Sequence, residues 1–305
     1  MIALTLKALV PVVLLIASGC ALKRAMIPGE SFWSDAERLG YRVLLPALFL
    51  HGLATADTED LPVKALAGVL VASTVVVAAL VIALRPLMRV ADDGFTSVFQ
   101  GSVRFNNYIG VTIASGLYGT QGVAIAAVCN AAIVPTVNVL CVLVFARFGG
   151  ARLSLMGIAR QLVTNPLILA CVAGGLLQAL DLGLPPGIEP ALQALGAASM
   201  PLGLLCIGAA LRFGQARSWT GPILTSSSVK FALMPAVTFL AAHLAGLGAP
   251  VLIVAVLFQA LPTASSSYIM ARQLGGDAPM MAGITATQTL LGIATVPLVA
   301  ALVPI

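Results

Sequence analysis

Apolar runs of about twenty residues, set apart by short polar breaks, recur ten times along this chain. They cover residues 3–24, 39–56, 63–84, 95–118, 121–146, 158–180, 190–211, 221–245, 249–271 and 279–303. Hydrophobic periodicity cannot separate helix from strand in runs this uniform, but length can. A bilayer core takes about 20 helical residues, against about ten in a barrel strand. The pattern therefore predicts an all-α membrane protein of ten transmembrane helices, spans 1 to 10. Ten such spans use roughly two thirds of the chain and leave no room for a soluble domain.

Two of the runs are interrupted. In span 9, Pro262 stands inside the apolar stretch and Thr263, Ser265, Ser266 and Ser267 follow at once. Proline removes a backbone bond, and hydrocarbon offers adjacent hydroxyls no partner, so such a segment must be buried in protein or line a watery cavity. Span 4 echoes it. Phe99-Gln100, seven residues, then Tyr108-Ile109 matches Phe258-Gln259, eight residues, then Tyr268-Ile269, with Arg104, Asn106 and Asn107 filling the earlier gap. Paired polar interruptions at corresponding places in two halves point to a transporter binding site.

Composition agrees with the pattern. The chain has 305 residues, 60% hydrophobic and only 9% charged, where soluble domains carry about 25% charged residues. An isoelectric point near 9.2 would suit a nucleic-acid partner, but the basic residues gather at span ends and read as topology signals. Loops after odd spans hold Lys23, Arg24, Arg38, Arg42, Arg85, Arg89, Arg147, Arg152, Arg160, Arg212, Arg217 and Arg272; the opposite side holds Lys7 and Lys64 with Asp57, Glu59, Asp60, Asp181 and Glu189. The positive-inside rule then places both termini outward in a bacterial inner membrane. The five cysteines lie in apolar runs without metal-ligand spacing, so neither disulfide, metal nor cofactor is expected. Ala17-Ser-Gly-Cys20 resembles a lipoprotein cleavage site, but Lys23 and Arg24 follow it, and Cys20 reads better as a packing residue.

The halves 1–147 and 148–305 look like repeats. Pro11 precedes Gly19 by eight residues, as Pro166 precedes Gly174; Pro46 and Gly52 in span 2 resemble Pro201 and Gly208 in span 7. Five spans per half is an odd number, so the second half would be inverted. Together with Phe105-Asn-Asn-Tyr-Ile-Gly110, Asn165-Pro166-Leu167, Met200-Pro201-Leu202, and Leu261-Pro262 through Gly275-Gly276-Asp277, these features resemble the auxin efflux carrier family, which includes bacterial malonate and malate permeases. The resemblance runs nearly the whole length. It implies two inverted five-helix repeats, with spans 1, 2, 6 and 7 as a scaffold, often a dimerising one. Spans 3–5 and 8–10 would form a mobile transport unit in which broken spans 4 and 9 cross. Plant members have a proline in the first crossover; here Asn106, Asn107 and Gly110 must loosen that helix instead.

Arg104 is the strongest chemical signal. It lies about nine residues into span 4, roughly 13 Å deep and near the midplane, where arginine costs at least about 2.5 kcal/mol unless it faces protein or water. No Asp or Glu lies within any predicted span, so its partner is a carbonyl, a polar side chain or a bound anion. As a purely structural residue it would bond the carbonyls freed in the opposite crossover. Lys230 reaches a similar depth in span 8, either as a second functional cation or as a snorkelling lysine. Gln100, Asn106, Asn107, Gln259, Thr263, Ser265, Ser266 and Ser267 can cap broken helices or contact substrate. Asn130, Asn138, Thr287 and Gln288 face the same cavity or bond between helices. His51 and His243 are isolated near span ends and read as satisfied or solvated. No HExxH, G-x-S-x-G or phosphate-loop pattern is present.

Two deep cations, no deep acids and half-helix N-termini aimed at the midplane predict a secondary transporter of small organic anions working by alternating access in the lipid bilayer. The alternatives are a drug/metabolite-type exporter of neutral or cationic solutes, which has no need of Arg104, and a membrane enzyme or transporter-derived sensor.

Overall fold

The computed structural model describes residues 2–55, 61–149, 163–211, 219–264 and 266–302, and every regular element among them is helical. In chain order these are α1 (Ile2–Ala25), α2 (Glu30–Leu39), a π turn (Gly40–Leu44) running into α3 (Leu45–Ala54), α4 (Val63–Ala83), α5 (Asp92–Val103) and α6 (Asn107–Phe148). There follow α7 (Pro166–Ala179), α8 (Glu189–Ala210), α9 (Thr220–Ser228), a second π turn (Val229–Leu233) running into α10 (Met234–Leu244), α11 (Val251–Gln259), α12 (Ser266–Leu274) and α13 (Ala278–Leu302). Ser265, Arg152, Arg160, Arg212, Arg217, Asp57, Glu59, Asp60 and the start of span 6 lie outside the described residues.

Five helical segments are long and apolar enough to cross a membrane: Val63–Ala83, Asp92–Phe148, Glu189–Ala210, Thr220–Leu244 and Ala278–Leu302. The second counts 57 residues, which as one rod would be about 85 Å long, far beyond a bilayer core of about 30 Å. It is not one rod. The helix stops between Val103 and Asn107, and α6 folds back at Gly119, whose φ of 56° and ψ of −134° only glycine adopts readily. A Cβ on Gly122 would overlap the Ala114 carbonyl; in a straight helix these residues stand about 12 Å apart. The two arms of α6 are therefore a tight hairpin.

Both π turns have one cause. Each ends two residues before a proline that sits second in the next helix, Pro46 and Pro235. Proline has no N–H and its ring crowds the carbonyl four residues back, so the preceding turn widens and Leu45 and Met234 bond five residues back, to Gly40 and Val229. The helix carrying span 2 also begins earlier than hydropathy indicates. α2 is amphipathic: Trp33 is buried against Cys206 and Ala209 and donates its indole N–H to the Ile27 carbonyl, while Asp35 and Arg38 pair on the exposed side. Its charges hid it from a search for apolar runs.

Glycines set the closest helix contacts. In the α1–α8 crossing, a Cβ on Gly19 would overlap the Leu205 carbonyl, and one on Gly208 the Ile16 carbonyl. Gly174 on α7 likewise meets the Leu50 carbonyl of α3 at 2.8 Å. Gly19 and Gly174 each follow a proline by eight residues, and Leu205 and Leu50 each follow a proline by four. The two contacts thus share the same spacings from proline on both sides. Along α4, Leu66, Leu70, Val77 and Val81 face the core while Val71, Val75, Val76 and Leu80 are exposed, a helix apolar all round as lipid requires.

The polar ends sort themselves. Arg85, after α4, pairs with Asp92 and lies over the Phe148 ring at 4.4 Å, and the Asp277 N–H donates to the Asp93 carbonyl at 3.2 Å. The ends of α4, α6 and α12 thus share one face with the start of α5. On the other side, His51 Nε2 stands 3.8 Å from the Glu189 carboxylate.

Candidate functional site

The two interruptions meet. α5 ends at Val103, Arg104 takes an extended conformation (φ −74°, ψ 156°), and Asn106 restarts the helix as an N-cap. Its Oδ1 accepts the Tyr108 N–H at 3.1 Å and the Ile109 N–H at 3.4 Å. A capping asparagine thus does what proline does elsewhere, stopping one helix by making the start of another favourable. The second break runs from Gln259 to Ser266 around Pro262. The Asn106 N–H donates to the Pro262 carbonyl at 2.9 Å, and the Phe105 and Phe258 rings pack 5.8 Å apart. Gly110 lets the breaks approach: a side chain there would meet Leu261 at 2.6 Å and Phe258 at 2.9 Å.

Gln288 on α13 ties both breaks. Its Oε1 accepts the Thr263 N–H at 3.0 Å, and its Nε2 donates to the Gly101 carbonyl at 3.0 Å. It satisfies one orphan group from each broken helix, as buried backbone requires. Replacing it with leucine leaves a buried donor and a buried acceptor unpaired, each costing about 1–3 kcal/mol. Gln288→Leu is expected to lower the melting temperature of purified protein well below that of Thr287→Val, whose side chain has no such bonds; equal melting would show that Gln288 ties nothing.

Arg104 is half-buried, and all three guanidinium nitrogens have protein partners. Nε donates to Ser267 Oγ at 2.9 Å, Nη1 to Asn138 Oδ1 at 2.9 Å, and Nη2 to Ser266 Oγ at 3.3 Å. The guanidinium therefore bonds side chains of the opposite crossover and of α6's return arm rather than freed carbonyls. It sits against the first turn of α12, so a fixed cation and the positive end of a helix dipole lie side by side. Lys230 does not snorkel. It is wholly buried in the second π turn, with Nζ 3.4 Å from the Val103 carbonyl, capping the C-terminal end of α5.

Of the other expected site residues, Thr263 Oγ1 lies 3.2 Å from Ser267 Oγ, beside Arg104. Asn107 opens α6 half-buried. Gln259 points away, its Nε2 donating to Thr74 Oγ1 at 2.8 Å and Ser73 Oγ at 3.3 Å; that adjacent hydroxyl pair in α4 was the available signal for its partner. Gln100, its counterpart, is wholly buried with neither amide atom bonded among the described residues. Asn130 donates to the Ala126 carbonyl of its own helix. A cavity of about 360 Å³ lies elsewhere, lined by Lys23, Arg24, Glu30 and Gly208 among others, but Lys23 and Glu30 already pair there at 2.8 Å. The crossover holds the unspent chemistry.

Residues 150–300 match a family described as "Membrane transport protein". A protein of Rhizobium meliloti (strain 1021) named "Putative malonate transporter" is 27% identical over 267 residues, 83% of this chain and 81% of that protein. The chain belongs to this transport family. The family match takes in Pro262, Lys230 and Gln288, and the longer likeness to the Rhizobium protein reaches back into the half that carries the first break. The transporter is a multi-pass membrane protein.

Proposed function

We propose that this transporter moves a small organic anion, a mono- or dicarboxylate, by elevator-like alternating access across a bacterial inner membrane with both termini outward. It would comprise two inverted five-helix repeats, 1–147 and 148–305, with spans 1, 2, 6 and 7 as scaffold and spans 3–5 and 8–10 as the moving unit. The matched contacts of Gly19 with Leu205 and Gly174 with Leu50 support the repeat. One observation carries the anion. Arg104, with no acid among its partners, adjoins the N-terminal turn of α12 where Ser266, Ser267 and Asn138 turn oxygens toward it. Two positive fields brought together in a low-dielectric setting are balanced best by an arriving carboxylate, which can take the guanidinium fork in two parallel bonds. The name of the Rhizobium relative points to the same class of substrate. Purified protein in liposomes, screened over mono- and dicarboxylates with and without Na⁺ and pH gradients, should take up at least one carboxylate. Flux of neutral or cationic solutes without any carboxylate would instead make it a drug/metabolite-type exporter.

A further inference from the structure

We propose that Tyr108 is a positioning residue, seated in a slot of two glycines, that fixes where the crossover stands against the scaffold. The proposal rests on the division into scaffold and moving unit given above. Tyr108 lies in the first turn of α6, and its N–H is held by Asn106, whose own N–H is held by Pro262. The ring is therefore rigidly joined to both breaks. It leaves the moving unit and lies flat on α8 at Gly203, where a Cβ would run into the ring. Its hydroxyl reaches the π turn at Gly40, where a Cβ would stand 2.7 Å from the oxygen. A ring pressed on two bare backbones can sit in one place only, and a shift along the scaffold by one turn loses both glycines.

The seat is also built to be left. Tyr108 is 8% exposed, and its hydroxyl has no hydrogen-bond partner among the described residues. Packing holds the ring while an unpaired buried hydroxyl penalises the seated state, on the order of tenfold or more in population. Removing the hydroxyl should deepen the seat, and adding a methyl to either glycine should close it.

The experiment uses the full chain in lipid with Cys20→Ala, since the other four cysteines are buried. Spin labels replace exposed Leu14 on α1 and exposed Val75 on α4, one on each unit, and the distance distribution is measured by pulsed resonance with and without malonate. Wild type should show two distances. Tyr108→Phe should move the ratio about tenfold toward the distance of the present structure with malonate affinity unchanged, and Gly203→Ala should move it the other way. Gly40→Ala stands in if Gly203→Ala does not fold. Two wild-type distances that no variant shifts would overturn the seat and leave the two-unit layout intact. A single distance in wild type under every condition would overturn the moving unit, and the seat with it.

Discussion

Arg104→Gln is expected to weaken binding of the transported carboxylate by about ten- to over a hundredfold while the protein still folds. A charge-assisted hydrogen bond contributes about 1.5–3 kcal/mol net, which converts to that range. Glutamine keeps a donor but loses the charge and the fork. Arg104→Lys should retain part of the affinity, because a point charge remains where two parallel bonds are lost. A neutral amide analogue of the substrate separates the possibilities, since it lacks the charge that Arg104 is argued to read. Titration calorimetry should show the acid losing far more affinity than the amide. Equal losses would mean that Arg104 is a tie among Ser266, Ser267 and Asn138, whose three bonds hold the crossover together.

The largest stability effect should come from the scaffold. Gly208 packs on the Ile16 carbonyl of α1 with no room for a methyl, and Gly19 packs on Leu205 in return. The obstacle on each side is backbone, which cannot rotate out of the way as a side chain can. Overpacking costs about 1–3 kcal/mol where neighbours can shift, and more where they cannot. Gly208→Ala should therefore part α1 from α8 and leave little folded protein in a size-exclusion assay after mild heating. Gly175→Ala is the control: nothing lies within 4 Å of a Cβ there, and alanine is the better helix former by about 1 kcal/mol. If the two variants melt together, the α1–α8 contact is looser than its geometry.

The second break was legible from Pro262 and the hydroxyls after it, because both the missing donor and the surplus of polar groups are local facts. The first was harder, and its signal was Asn106 acting as a cap. Capping asparagines also stand at ordinary helix starts, as Asn165 does before Pro166, so the residue alone marks a start and not an interruption. The snorkelling alternative for Lys230 fell because the side chain is wholly enclosed against the Val103 carbonyl, a contact between distant helices that the local sequence does not carry. The amphipathic α2 escaped because charge density, not periodicity, decided what counted as a span. Partners across the fold, such as Thr74 for Gln259 or Asn138 for Arg104, are distant in sequence and follow from packing alone. The class of Arg104's partner could be stated in advance; its identity could not.

The bond from Asn106 to the Pro262 carbonyl has a consequence for descent. Each interruption supplies what the other lacks, a spare amide in one and a spare carbonyl in the other. A substitution that straightened either helix would strand its opposite with a bare, buried polar group. Neither break can then be lost by a single tolerable step, nor gained by one. The two stand or fall as a couple, so the half of the crossover that has no proline is still held to its shape by the half that has one.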